Sequence, residues 1–177
     1  YEGSIANSFI SGELVTTAMS RGPMEVQATG GLMVGIDVAR FGDDKTVLSF
    51  RRGRGLRKQI AWQKHDLVQT AARARNEIAA YNIRPEQSAV DTIGIGAGVA
   101  DMMRGWYPDR VDNRTQRIVK TVVDVNSSLR MDDGINYNLR AFMWGEMREW
   151  LKSASLINDH DLRSELTAPR YYYRGGS

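Results

Sequence analysis

There is no cysteine in the 177-residue chain. Disulfides and thiolate metal sites are thereby excluded, and the chain suits a reducing compartment. Histidine is nearly as scarce, with His65 and His160 alone, which argues against zinc. No apolar run approaches the ~18 residues of a membrane-spanning helix, and the first residues carry no signal-peptide pattern. Proline is rare, at four, while 42% of residues are hydrophobic and 25% charged; wholesale disorder is not expected from such a composition. Charge of one sign is lacking too. Lys and Arg number 24 against 21 Asp and Glu, a net +3 that permits an anionic partner without requiring one. The length fits one domain with its own core.

What is present is a legible order of elements. Residues 1–31 read as a peripheral lead-in or linker, with a short helix over "SGELVTTAMSR". The domain proper then spans 32–177. Leu32–Val38, Thr46–Phe50 and Leu56–Trp62 form an antiparallel meander with turns at "RFGDD" and "RRGRG". Asp66, with Gln69 three residues on, predicts a capping box. Leu67, Ala71, Ala74, Ile78 and Tyr81 continue it as an amphipathic helix. "SAVDT" predicts a strand, "GIGAGVADMMRGWY" a turn into a helix, and "QRIVKTVVDV" a fifth strand. "NLRAFMWGEMREWLKS" and "DHDLRSEL" predict two more helices, and "RYYYRGGS" a last strand running into a glycine turn. There is no internal repeat. This order describes an α/β domain with a mixed central sheet flanked by helices.

The carboxylates stand out. Asp37 ends the apolar run "VGID", and Asp91 ends "SAVD". If the two strands are neighbours, both acids meet at one edge of the sheet. That is costly for two anions and is relieved by a bound divalent cation. Oxygen donors favour a hard ion, Mg²⁺ or Mn²⁺. Taken singly, Asp37 could instead bond turn amides and Asp91 cap the following helix. On the helix over 138–153, Glu146 falls inside the stripe of Leu139, Phe142, Met143, Met147 and Trp150. It needs a partner there, either an Arg or the helix rim, or more remotely a metal. Asp159 and Asp161 read as caps of the following helix.

Arg51, Arg52, Arg54, Arg57 and Lys58 crowd eight residues around two glycines at the tip of the second hairpin. They either solvate an exposed edge or touch phosphates. Gly94, Gly96 and Gly98 sit where phosphate loops occur. Val99 breaks the dinucleotide pattern, however, and no Walker motif exists. These glycines are read as a tight exit from Asp91 and a close helix–strand approach.

In this order and spacing, "GIDVARFGDDKTVLSF" followed by "VDTIGIGAGVADMM" resembles the C-terminal nuclease domain of the large terminase subunit of tailed bacteriophages. The likeness continues through "VNSS", "NLRAFMWGEMREWL" and "LINDHDLRSELTAPRYYY" and covers roughly residues 32 to 173. The resemblance implies a ribonuclease H-like fold and an endonuclease that cuts concatemeric double-stranded DNA. Two Mg²⁺ or Mn²⁺ ions would serve a two-metal phosphodiester hydrolysis, bridged by Asp37 and held also by Asp91. Asp43 matches an accessory acid, for which Asp44 could substitute. Asn138 and Arg140 match recurrent residues, read as structural or DNA-facing. The third principal acid of the family, in a "D-x-x-D-A"-like pattern, has no counterpart in the chain, so the C-terminal end of the domain is expected to be incomplete and Glu146 is the remaining candidate. An upstream ATPase motor domain, the portal and the small terminase subunit are the implied partners. The host cytoplasm is the implied location.

Three other readings stand beside it. One is a different ribonuclease H-like enzyme of resolvase or transposase type. Another is a fragment of an actin-like or sugar-kinase ATPase, for whose two lobes the chain is too short. The third is a non-catalytic module docking DNA or a portal through the basic hairpin.

Overall fold

The computed structural model describes residues 8–22, 24–26, 29–39, 44–119 and 121–170. The accessory acid Asp43 and the last strand predicted over 170–177, apart from Arg170, lie outside the described residues.

Five strands form the central sheet in the order β3-β2-β1-β4-β7. β1 (Leu32–Asp37), β2 (Thr46–Arg52) and β3 (Gly55–Trp62) make the antiparallel meander. β4 (Ser88–Asp91) and β7 (Val123–Val125) then add in parallel to β1. Side chains alternate across a strand, so one set of residues defines each face. Val34, Ile36, Leu48, Phe50 and Val90 point to the closed face and are at most 3% exposed. Two helices cover them, α2 (Leu67–Ala80) and α3 (Gly96–Trp106). The predicted capping box starts α2: Gln69 N–H donates to Asp66 Oδ1 at 2.7 Å, and Asp66 N–H to Gln69 Oε1 at 3.1 Å. Ala71, Ala74 and Ile78 then turn inward as the periodicity requires.

The other face meets α4 (Leu139–Leu151), which begins at the N-cap Asn138. Its apolar stripe is only partly covered: Phe142, Met143 and Met147 keep 37%, 41% and 37% of their surface exposed. Between this stripe and the sheet lies an open, mostly apolar cavity of about 700 Å³, lined by Met33, Gly35, Ala89, Met143, Glu146 and Met147 among others.

Residues 1–31 were expected to be peripheral. Their described part instead builds a second core. α1 (Gly12–Ser20) buries Val15 and Ala18 completely, together with Ile10, against Leu151, Leu156 and Leu166 of α4, its following loop and α5 (His160–Thr167). Arg21 fastens the joint by donating to the carbonyls of Leu151 and Ala154 at 3.0 and 2.9 Å. Asp159 caps α5 as expected, accepting from Leu162 N–H at 2.8 Å.

The single strand expected over 116–125 is two. Ile118–Val119 (β6) pairs with the short β5 (Arg110–Val111) in a separate ribbon, and only Val123–Val125 joins the main sheet. Thr121 divides them. It is buried, its N–H donates to Asp109 Oδ1 at 3.1 Å, and its hydroxyl donates to the Tyr107 carbonyl, tying the chain back to the end of α3. Among the described residues no helix is long and apolar enough to cross a membrane.

Candidate functional site

The parallel register decides where the acids go. Val34 pairs with Ser88, Gly35 with Ala89 and Ile36 with Val90, so Asp37 and Asp91 are the next step of the ladder, side by side at the C-terminal ends of neighbouring strands. Adjacent strands run about 4.8 Å apart. The residues paired two steps earlier, Gly35 and Ala89, line the cavity, so both carboxylates belong to the open α4 face while Ile36 and Val90 hold the core.

Asp37 is exposed on its outer side. Its inner side is crowded, and this loss of water is the chief cause that lifts its pKa above the ordinary 3.8; Asp91 adds to the rise, Arg140 opposes it and Asp44 adds a smaller push. The two neighbouring acids and one cation are therefore close enough to Asp37 for their charge to be felt. Asp91 is fixed by a short turn, with Oδ1 accepting from Ile93 N–H at 3.0 Å. It does not cap α3, whose N-cap is Ile95 and has no side-chain bond.

Gly96 makes the juxtaposition possible. A Cβ there would stand 1.8 Å from the Asp91 carbonyl oxygen, so the first turn of α3 lies directly on the strand end. Gly94 supplies the turn with φ +68°. The expected tight exit from Asp91 is what these glycines provide.

The donor set suits a hard divalent cation: two carboxylates whose mutual repulsion a cation would relieve, with no histidine among the groups acting on Asp37. Among the described residues no three His, Asp or Glu side chains converge as a complete metal cage. Glu146 does not join the pair. It lines the cavity further down α4, with no hydrogen bond or ion pair among the described residues.

The basic hairpin lies elsewhere. Leu32 pairs with Arg52 while Asp37 pairs with Val47, so the tip is at the other end of β1, five residue steps or roughly 16 Å from the acids. Arg54 is engaged internally. Its Nη2 donates to the Trp150 carbonyl at 2.7 Å, its guanidinium stacks over the Trp150 ring, and Ser155 N–H donates to its carbonyl. Arg51 turns toward Met33 and the Gly53 carbonyl, and Lys58 bonds the Tyr81 hydroxyl. Arg52 and Arg57 are exposed. The predicted meander puts this second turn opposite the one that follows Asp37, and the strand register agrees. Arg140, read above as structural or DNA-facing, is the cation that acts on Asp37 among the described residues.

No family model matches the chain, and no curated protein matches it in sequence. Solved structures do match in fold. The nuclease domain of the large terminase subunit of bacterial virus Sf6, solved with manganese and β-thujaplicinol, superposes with a TM-score of 0.71 at 14% identity, over 94% of this chain and 84% of that one. The large terminase nuclease of thermophilic phage G20c, solved with magnesium, gives a TM-score of 0.64 at 14% identity, over 95% and 83%. The same G20c nuclease has also been solved with cobalt and with zinc. The chain thus has the ribonuclease H-like fold of phage large terminase nuclease domains.

Proposed function

We propose that the chain is a metal-dependent DNA endonuclease domain of a phage packaging terminase. The observation that carries this reading is the pair Asp37–Asp91, in register on one face at the ends of two parallel strands, within a fold shared with terminase nucleases. Asp37 and Asp91 would hold Mg²⁺ or Mn²⁺, with Asp43 or Asp44 as accessory donor. Bound there, such ions supply Lewis-acid activation of water and charge neutralisation at a phosphodiester.

The chain's own contribution is placement. The β1–β4 ladder fixes the spacing of the two carboxylates, and the Ile93 N–H holds Asp91 by one oxygen while Oδ2 stays available. Asp37 is exposed and Asp91 half-buried, so a phosphodiester would reach both from the strand ends. Double-stranded DNA is the substrate on this reading, cut without base readout. Of the hairpin cations, Arg51 lines the open-face cavity and would meet the backbone at a second point, about 16 Å along the sheet, whereas Arg52 and Lys58 pair with Leu32 and Phe50 on the face of α2 and α3. Arg54 is left out because Trp150 already engages it. An upstream ATPase motor, the portal and the small terminase subunit would be the partners, in the host cytoplasm.

A plasmid-nicking assay with Mn²⁺, Mg²⁺ and EDTA, run beside Asp37→Ala, tests the reading. Nicking is expected with either ion, none with EDTA, and a loss of at least ~10³-fold in the variant, equivalent to about 4 kcal/mol of barrier. Equal nicking by both proteins would remove the site assignment. Metal-independent DNA binding without cleavage would instead favour the docking-module reading.

A further inference from the structure

Among the described residues, one cation that acts on Asp37 is fixed near the acids' edge of the sheet. β7 ends at Val125, opposite Asp91 in the parallel ladder, and the chain turns immediately through Asn126–Ser128. Ser127 is 3% exposed in that turn. The first turn of α4 is fastened to it: Arg140 N–H donates to the Ser127 carbonyl at 2.8 Å and Leu139 N–H to that of Leu129 at 2.7 Å, while Arg130 and Asn138 bridge antiparallel. Three strand ends therefore present Asp37, Asp91 and the Ser127–Arg140 contact along one edge.

The Arg140 side chain is held but not neutralised. Its Nη2 donates to Ser127 Oγ at 3.2 Å, and the residue is otherwise exposed. No ion pair joins it to a carboxylate among the described residues, although Asp37 feels its charge. A guanidinium offers five N–H donors in a planar fork suited to phosphate, and Ser127 takes one. An arginine bonded straight onto Asp37 would occupy a ligand oxygen. One held off by a buried serine leaves the carboxylates free and keeps donors for an anion lying beside them. The helix brace itself is made by the Arg140 backbone, and Ser127 occupies only one of the guanidinium's donors.

We propose that Arg140, positioned by Ser127, is the phosphate ligand of this site, holding a non-bridging oxygen of the DNA strand presented to Asp37 and Asp91. This deepens the nuclease reading above and rests on it for the cleavage step, but its binding step is measurable separately.

The test uses the 177-residue chain and its Arg140→Gln, Arg140→Lys and Ser127→Ala variants. Binding of a short DNA duplex in EDTA is followed against salt, and Mn²⁺ binding without DNA is followed by calorimetry. Arg140→Gln should lower the slope of log affinity against log salt by about 0.9, one phosphate contact. It should also tighten Mn²⁺ binding severalfold, because a repelling charge is gone. Arg140→Lys should restore the slope. In a cleavage assay Arg140→Gln should lose kcat by about 10²-fold, as for one donor aimed at developing charge. Ser127→Ala should lose less and keep the slope.

An unchanged salt slope in Arg140→Gln overturns the proposal. So does weaker Mn²⁺ binding that falls together with thermal stability, which is the signature of a purely structural arginine. If the unaltered chain neither binds Mn²⁺ nor cuts DNA but Arg140→Gln still loses one phosphate contact, the phosphate ligand stands and the nuclease reading fails.

Discussion

The two faces of the central sheet are made by alternate residues of the same strands and have opposite characters. On the closed face Ile36, Phe50 and Val90 lie under α2 and α3, at most 3% exposed. On the open face Gly35 and Ala89 line a cavity of about 700 Å³ beneath α4, and Asp37 and Asp91 follow one alternation further along, at the strand ends. The closed face supplies cohesion through buried apolar area. The open face is thereby released from packing and can hold two carboxylates that a filled core would not accept. The same ladder serves both, so the rigidity gained on one side orients the acids on the other.

The contrast can be tested by unequal damage. Phe50→Ala, on the closed face, should cost about 3–5 kcal/mol in urea unfolding, whereas Met147→Ala across the sheet should cost under about 1 kcal/mol because its surroundings are already open. Equal losses would mean that α4 is as tightly packed as α2 and α3. Gly96→Ala should come next. Its Cβ would meet the Asp91 carbonyl at 1.8 Å, so α3 must shift, at about 1–3 kcal/mol, and DNA nicking should fall with both acids unaltered.

The smallest effect is on pH dependence. The pKa of Asp37 is raised in the folded protein by lost water and by Asp91, so its stabilising share is complete below about 3.8 and is lost as pH rises through the raised value. Asp37→Asn should therefore match the unaltered chain in thermal stability at low pH and exceed it above that window. Because the outer side of Asp37 is open to water, the gain should stay below about 1 kcal/mol, or 2–4 °C at this chain length. Mn²⁺ should erase the difference by stabilising only the protein with the carboxylate. A variant less stable than the unaltered chain at neutral pH would show that Asp37 is held by favourable bonds rather than strained by its neighbours.

Much of this was legible in the residues. An apolar run and strand composition around two turns gave β1 to β3, the Asp66–Gln69 pair gave the start of α2, and the two runs ending in Asp37 and Asp91 gave the candidate acids. The antiparallel meander was legible, but the parallel pairing of β1 with β4 was not, because it depends on contacts between distant segments. That is why the approach of Asp91 to Asp37 stood only as a condition. It is also why "QRIVKTVVDV" read as one strand: nothing local marks Thr121 as the residue that Tyr107 and Asp109 pull aside. α1 was underestimated for a related reason. Its burying partners, Leu151, Leu156 and Leu166, lie more than a hundred residues away. Arg140 stood as structural or DNA-facing, and its place beside the turn after β7 could not be read because that contact joins distant segments.

The strict two-residue alternation of β1 has a consequence for how such a chain tolerates insertions and deletions. Removing or adding one residue between Val34 and Asp37 would exchange the two sets of side chains, sending the carboxylate into the layer beneath α2 and α3 and a core aliphatic out to the open edge. Length changes in this stretch are therefore punished twice by a single event, in folding and in chemistry. The hairpin turn at Gly53–Arg54, outside that ladder, has no carboxylate to misplace.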